Sequence, residues 1–184
     1  MKIMKRPIYL ILAISFGLAS CHNLNNEKTQ LIPEETVLVQ LRDYYNSLLN
    51  GNVTKVTYYL YPVLFDWLDK EFSTDSEYSK EAYVTTFVDE MVRMKKFAES
   101  ENYEFGMSIG EITKTIHYNE KIIFLVDAYM YVKRDNSKRE VKSVIVCISV
   151  DKGKNWKFIE KEEGTDKVLS MAFPQEVIDD IMID

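Results

Sequence analysis

The feature that most constrains the fold is a single change of hydrophobic period near the middle of the chain. From Pro33 to Glu101, apolar residues recur every three or four positions, which predicts amphipathic helices. From Tyr103 onward, β-branched and aromatic residues dominate, which predicts strands. Helices followed by a run of strands are typical of an α+β domain, with the helices on one face of an antiparallel sheet. Because no Pro, Gly or Ser-rich break or repeat interrupts residues 33–184, a single domain is expected there.

The front half is predicted to contain three helices. They begin at Pro33, Val53 and Ser79 and end near Asn50, Tyr61 and Glu101. Pro33 suits a first helical position, and the Ser79 side chain can cap the third helix. Pro62 is expected to bend the chain after the second helix into a further turn or two.

The back half is predicted to form four strands and a last helix. The strands cover Tyr103 to His117, Lys121 to Arg134, Glu140 to Asp151 and Trp156 to Lys161. The connections between them are short and rich in turn-forming residues, so an antiparallel meander is expected. The last helix fits Pro174 to Met182.

The beginning of the chain has the layout of a secretory signal. Basic residues precede an apolar run from Ile8 to Leu18, and small residues then lead to Cys21. The run is shorter than the about 20 apolar residues that a membrane-spanning helix needs, and no later segment approaches that length. Residues 1–20 are therefore predicted to be a signal peptide, and residues 21–32 a flexible tether.

Leu18-Ala19-Ser20-Cys21 resembles the lipobox of bacterial lipoproteins. The resemblance implies that the Cys21 thiol carries diacylglycerol and that the new amino terminus is acylated. Two or more acyl chains anchor a protein stably, so the membrane is an expected partner through this lipid. His22 stands where lipoproteins retained at the inner membrane typically have Asp. For a Gram-negative host, the resemblance therefore implies the outer membrane.

The mature chain is expected to be acidic and without a disulfide. The formal net charge is −6, and loss of the leader's three basic residues makes it more negative, so nucleic acid is not an expected partner. Once Cys21 carries lipid, Cys147 has no cysteine to pair with. The only histidines are His22 and His117, which cannot supply a two-histidine metal site in the domain. No metal and no cofactor are predicted.

The first two helices resemble those of a known family. The segment from Leu41 to Val53 joins an aromatic-bearing helix to a small-residue turn, and the next helix ends at Tyr61-Pro62. This resembles the opening of nuclear transport factor 2-like domains, the superfamily that includes the SnoaL-like proteins and ketosteroid isomerase. The resemblance implies a cystatin-like cone of three helices on a curved antiparallel sheet of about four strands, here with a short C-terminal helix added.

The same resemblance implies a pair of catalytic candidates. In ketosteroid isomerase-like members, a carboxylate acts as base while a tyrosine donates a hydrogen bond to the developing oxyanion. Asp127, which interrupts the apolar strand from Ile122 to Val132, and Tyr44 on the first helix are the candidates. The alternative is that Asp127 faces outward with Tyr129 and Tyr131, because period-two alternation separates it from the apolar residues of its strand.

Aromatic residues on the first helices suit a binding site. Tyr44, Tyr45, Tyr59 and Trp67 are predicted ligand contacts, since aromatic rings with polar tips line pockets for amphipathic ligands. The alternative is that they form an ordinary helix–sheet core. The leading hypothesis is a membrane-anchored, non-catalytic domain that binds a small ligand or an envelope protein. The runner-up is a SnoaL-like enzyme for proton transfer or hydration, and a homodimer through the sheet face is a third hypothesis.

The segment from Ser149 to Trp156 resembles the Asp-box hairpin of sialidase-type propellers. In that hairpin an Asp caps the turn, a Gly permits the bend and a Trp packs beneath. A propeller needs several copies, and this chain has one. The segment is therefore predicted to form a turn, without glycosidase activity.

Overall fold

The computed structural model describes residues 32–72 and 79–183. Cys21, the predicted signal peptide and all of the predicted tether except Ile32 lie outside these residues. The described helices are α1 Pro33–Leu49, α2 Val53–Tyr59, α3 Pro62–Glu71, α4 Lys80–Ser100, α5 Thr165–Leu169 and α6 Gln175–Met182. The described strands are β1 Glu104–Tyr118, β2 Lys121–Arg134, β3 Ser137–Ser149 and β4 Lys157–Glu160. They form one antiparallel sheet in the order β1-β2-β3-β4, which confirms the α+β class and the predicted meander.

The helix boundaries follow local chemistry, and they add two helices to the prediction. Ser79 caps α4 as expected, because its Oγ accepts a hydrogen bond from the Ala82 N–H at 3.0 Å. Pro62 begins a separate ten-residue helix, so four described helices precede the sheet and the predicted count of three is wrong. Pro suits this first position because the N–H groups of a helix's first turn have no partner within the helix. The N–H that Pro lacks is therefore not missed. The short helix α5, which follows Gly164, was not predicted.

The central strand β2 is buried on both faces, which divides the core in two. Phe124, Val126 and Ala128 face a first core formed with α1 to α4. Ile123 and Leu125, which alternate with them, belong to a second core with α5 and α6. The expectation that the helices lie on one face of the sheet is therefore wrong, because the two C-terminal helices cover part of the other face.

The edge strand β1 is irregular. Its pairing with β2 shifts register between Ile109 and Ile112 and again between Ile112 and Lys114. Extra residues of this kind increase the local bend and twist of a sheet. Gly110 lies at the first shift, and a Cβ there would come within 2.9 Å of Asp127 Cβ, so the close approach of the two strands requires glycine.

The turn between β3 and β4 packs against the first turn of α1. The Asp151 carboxylate accepts hydrogen bonds from the N–H groups of Lys154 at 3.2 Å and Asn155 at 2.9 Å. Trp156 is fully buried, and its Nε1 donates to Thr36 Oγ1 at 3.0 Å. The Asp-box-like segment thus forms the predicted turn, and it also holds the start of α1 to the sheet.

In the part of the chain that the structure describes, no helix is long and apolar enough to cross a membrane.

Candidate functional site

A cleft lies on the face of the sheet that α1 to α4 cover, called the helix-covered face below. It extends from the space between α1, α4 and strands β1 to β4 to residues of α3 and α5. Its inner cavity has a volume of about 130 Å³ and is lined by Tyr44, Tyr45, Leu48, Phe87, Met91, Met107, Met130, Val141, Ser143, Ile145, Phe158, Ile159 and Glu160. Its outer cavity has a volume of about 200 Å³ and is lined by Tyr44, Leu60, Leu64, Trp67, Leu68, Tyr83, Phe87, Ile159, Glu160, Glu162, Glu163, Gly164, Thr165 and Val168. Four residues line both: Tyr44, Phe87, Ile159 and Glu160. The two cavities are therefore neighbouring parts of one cleft.

Helical and strand periodicity explain how these side chains meet. Phe87 and Met91 are four residues apart on α4, so they lie on one face of that helix. On the sheet, Met130 pairs with Met107 on one side and with Val141 on the other. Val141 is 65 % exposed although it lines the inner cavity, so it marks an opening of that cavity to solvent.

The Tyr45 hydroxyl is the unusual polar group of the inner cavity. Tyr45 is 5 % exposed, and its hydroxyl oxygen is buried without a hydrogen-bond partner among the described residues. Burial raises the pKa of Tyr45 far above its ordinary value, and the neighbouring Tyr44 and Glu160 raise it further. The group is therefore a neutral hydroxyl that can both donate and accept a hydrogen bond. A buried hydroxyl without a partner is costly, so Tyr45 is an exception among the buried polar groups of this domain.

The polar rim of the outer cavity carries one sign of charge. Glu160, Glu162 and Glu163 line this cavity, and neither cavity has a lysine or arginine in its described lining. Burial raises the pKa of Glu162, and the like charge of Glu160 raises it further. Lys161, between these residues in sequence, lines a groove on the other face of the sheet and donates to the Ile183 carbonyl at 3.3 Å.

Three of the four predicted ligand contacts line the cleft. Tyr44 and Tyr45 line the inner cavity, and Tyr44 and Trp67 line the outer one. Tyr59 is buried beside them but lines neither cavity. Its hydroxyl donates to Asp43 Oδ2 at 2.5 Å, and Asp43 also pairs with Lys55 at 2.7 Å. The hydroxyl of Tyr59 is thus already used within the protein.

The structure does not bring the predicted catalytic pair together. Tyr44 belongs to the core on the helix-covered face, whereas Asp127 lines a groove on the opposite face together with Leu125. Asp127 is 7 % exposed, so it is buried and does not face solvent as the predicted alternative had it. Its Oδ2 accepts from Lys142 Nζ at 2.7 Å, and its Oδ1 has no partner among the described residues. Asp127 and Tyr44 therefore cannot act on one ligand.

Cysteine chemistry and metal binding by His, Cys, Asp or Glu have no support in the described residues. No group of three or more His, Cys, Asp or Glu side chains within 32–72 and 79–183 is arranged to hold a metal ion. Cys147 is fully buried in the core on the helix-covered face, and burial raises the pKa of its thiol well above the ordinary value. A protonated, inaccessible thiol is a poor nucleophile, so Cys147 is a structural residue.

Several cleft residues were not recognised from the sequence as site residues. The predicted contacts do not include Phe87 and Met91 of α4 or Met130 of β2, although all three line the inner cavity. Glu160 was not singled out. Strand alternation could have indicated Glu160, because it lies two residues after the buried Phe158 and therefore shares its face.

Comparison with models of known protein families, with curated proteins and with solved structures finds no match.

Proposed function

We propose that this chain is a lipid-anchored, non-catalytic envelope protein whose domain binds a small, largely apolar ligand in the cleft. The observation that carries the proposal is the cleft itself, whose walls are mostly aromatic and aliphatic and which opens to solvent at Val141; Tyr45, whose buried hydroxyl lacks a partner among the described residues, lies in its wall. Binding sites for small molecules commonly combine apolar walls with a few convergent polar groups. A largely apolar ligand with one hydrogen-bonding group fits this arrangement.

The volumes of the cavities limit the size of the ligand. The inner cavity of about 130 Å³ is close to the volume of about 150 Å³ that accepts benzene in an engineered apolar cavity. The adjoining outer cavity adds about 200 Å³. Together the two cavities fall at the lower end of the about 300 to 1,000 Å³ that small-molecule sites usually have, so one aromatic ring with a short chain fits.

We also propose that the fold is of the nuclear transport factor 2-like, cystatin-like type. The order of helices and then a four-stranded meander supports this proposal. The register shifts in β1 favour a curved sheet, and the cleft lies where a cone would open, between α1, α4 and the sheet. The α5 and α6 helices on the other face are additions to such a fold.

The binding proposal is tested with phenylpropanol, a neutral molecule of one ring, a short chain and one hydroxyl. Calorimetric titration of the purified full chain should detect binding, and Tyr45→Phe should weaken it about five- to tenfold, because a neutral hydrogen bond is lost. The control is Tyr129→Phe, which removes a hydroxyl on the opposite face of the sheet. No binding of phenylpropanol, or equal binding to the parent and Tyr45→Phe, would contradict the proposal.

The anchor is tested separately, through Cys21. Cells that express the chain and are fed radioactive palmitate should label the parent protein, and Cys21→Ser should abolish the label, because that thiol is the predicted lipid attachment site. Cys147→Ser is the matched control and should keep the label. Fractionation should then find the parent in the outer membrane. An unlabelled parent would refute the lipoprotein assignment.

The geometry favours binding over turnover. An isomerase-like reaction needs a carboxylate and a tyrosine that face one water-excluded cavity. The buried Asp127 lies on the opposite face of the sheet, and the carboxylates that do line the cleft, those of Glu160, Glu162 and Glu163, are exposed to solvent. Tyr44 and Tyr45 are held as neutral hydroxyls by burial, which suits hydrogen bonding to a ligand.

A further inference from the structure

Three methionine side chains from three different elements meet in the inner cavity. Met91 comes from α4, Met107 from β1 and Met130 from β2, and all three line this cavity of about 130 Å³. The chain has six methionines after residue 20, so half of them converge on one place. Thioether sulfur is an uncharged, soft ligand, unlike the carboxylates and imidazoles of common metal sites. The inner cavity is therefore a candidate site for a soft metal ion.

The register of the sheet brings two of the three sulfurs together. Met107 and Met130 are directly opposite each other in the pairing of β1 with β2. Residues in that relation have Cα atoms about 4.5 to 5.5 Å apart and side chains on the same face of the sheet. A methionine side chain is unbranched and has three rotatable bonds. Both thioether groups can therefore turn toward one ion while the backbone keeps its place.

Helix α4 supplies the third sulfur from the opposite wall, and the site is open to solvent. Met91 belongs to the core on the helix-covered face, and Met107 and Met130 pack against that core. Met91 is buried, whereas the two sheet methionines are partly exposed. Val141, which pairs with Met130 on β3, is 65 % exposed at the opening of the cavity. An ion from solvent can therefore reach the sulfurs past Val141.

The other groups of the cavity decide which ion fits. Ca²⁺ takes six to eight oxygen ligands, and Zn²⁺ is held by nitrogen, thiolate sulfur and carboxylate oxygen, so neither suits thioethers. Thioether and thiolate sulfur select Cu(I) among the transition metals. Glu160 is the single acidic or basic side chain in the described lining, and one carboxylate near neutral ligands matches one positive charge. The donor set therefore favours a soft monovalent cation.

We infer that Met91, Met107 and Met130 bind Cu(I) through their thioether sulfurs in the inner cavity. Ag(I) has the same charge and the same preference for soft ligands, and it is stable in air, so it occupies the same site as a probe. The binding involves no change of oxidation state and no bond-breaking step. This inference goes beyond the proposed binding of an organic ligand and does not rest on it.

Methionine methyl signals test the site directly. The full chain carrying Cys21→Ser, labelled with ¹³C at the methionine methyl groups, is titrated with silver nitrate in a chloride-free buffer. The signals of Met91, Met107 and Met130 should shift at Ag(I) concentrations at least about tenfold below those that affect Met171, because three ligands hold the ion more tightly than one. Met171 is 45 % exposed and lines neither cavity, so it reports chance binding to an accessible thioether. Unshifted cavity signals, or signals that shift together with Met171, would overturn the inference.

Substitutions by leucine test the affinity for Cu(I), measured without oxygen by competition with bicinchoninate. Met107→Leu and Met130→Leu should each weaken Cu(I) binding about tenfold or more, because each removes one sulfur and nearly conserves the side-chain volume. Met171→Leu is the matched control and should stay within about twofold of the parent. Cys147 competes poorly, since burial raises the pKa of its thiol and keeps it protonated. Thermal unfolding of each variant checks that it remains folded, and parental affinity in both cavity variants would refute the site.

The outcomes also separate this inference from the proposed function. Phenylpropanol binding without Ag(I)-dependent shifts of the cavity methionines overturns the metal site alone. Those shifts without phenylpropanol binding support the metal site and overturn the organic ligand alone.

Discussion

Replacing Tyr45 with Phe should make the ligand-free protein more stable. The hydroxyl of Tyr45 is buried and lacks a hydrogen-bond partner among the described residues, so folding strips it of water without replacement. Leaving such a group unpaired costs about 1 to 3 kcal/mol, and Phe keeps the ring and its contacts. We expect a gain of about 1 kcal/mol, which for a chain of this length raises Tm by about 2 to 4 °C.

Tyr59→Phe is the matched control, since it removes the same atom from a neighbouring buried tyrosine. The Tyr59 hydroxyl donates to the Asp43 carboxylate at 2.5 Å, so its loss should lower the free energy of unfolding by about 1 to 2 kcal/mol. The two variants should therefore differ in sign. Urea unfolding at pH 7 without ligand, followed by far-ultraviolet circular dichroism, measures both, with equal m values as a check on a common unfolded state.

A loss of stability in Tyr45→Phe, like the loss expected in Tyr59→Phe, would contradict the predicted gain. That result would mean that the Tyr45 hydroxyl has a bonding partner in the free protein and is not reserved for a ligand. A gain in stability combined with weaker phenylpropanol binding would instead identify Tyr45 as a group whose cost is offset only on binding.

Three further predictions follow from the contacts outside the cleft. Asp127→Asn should leave the affinity for phenylpropanol within about twofold of the parent, since Asp127 faces away from the cleft; a tenfold loss in calorimetry would contradict that orientation. Asp151→Ala should lower the free energy of unfolding by about 2 kcal/mol, because the carboxylate caps the turn that holds α1; unchanged urea unfolding would contradict this role. Hydrogen bonds from Lys55 and then Tyr59 hold the pKa of Asp43 below its ordinary value, so the stability from this group is present above the unfolded pKa of Asp and lost as pH falls through the lower folded pKa. Between pH 5 and pH 2 the urea midpoint of Lys55→Met should therefore fall less than that of the parent, and equal falls would contradict the assignment.

The sequence predicted the elements better than their packing. Periodicity predicted α1, α4 and the strands to within a few residues, because alternation and capping are local properties. It underestimated the helix that begins at Pro62, since the same residue type that breaks a helix also starts one. It also missed that β2 is buried on both faces, because a continuous apolar run does not say what covers each side.

The site was predictable only in part, because local periodicity does not show which elements pack together. Aromatic residues on α1 were recognised as ligand contacts, and Tyr44 and Tyr45 do line the cleft. The role of Tyr59 depends on Asp43, one helix away, and this contact has no sequence signature. The sequence did not predict that Glu160 and Glu162 would line the same cavity as aromatic residues of α1, α3 and α4, because only the folded chain brings them together.

Two buried side-chain oxygens in the described residues lack partners, and their surroundings differ. Asp127 Oδ1 belongs to a carboxylate whose other oxygen is paired with Lys142 at 2.7 Å, so the charge is compensated within the protein. The Tyr45 hydroxyl has no such compensation. A Phe at this position would keep the ring contacts with the apolar lining and avoid the free-energy cost of burying the hydroxyl. A polar atom stands here where an apolar one would stabilise the fold, in the wall of a cleft that opens to solvent, so Tyr45 is the first side chain to test for a contribution to ligand binding. The cleft, rather than the acidic Asp127, is therefore where the function of this domain should be sought.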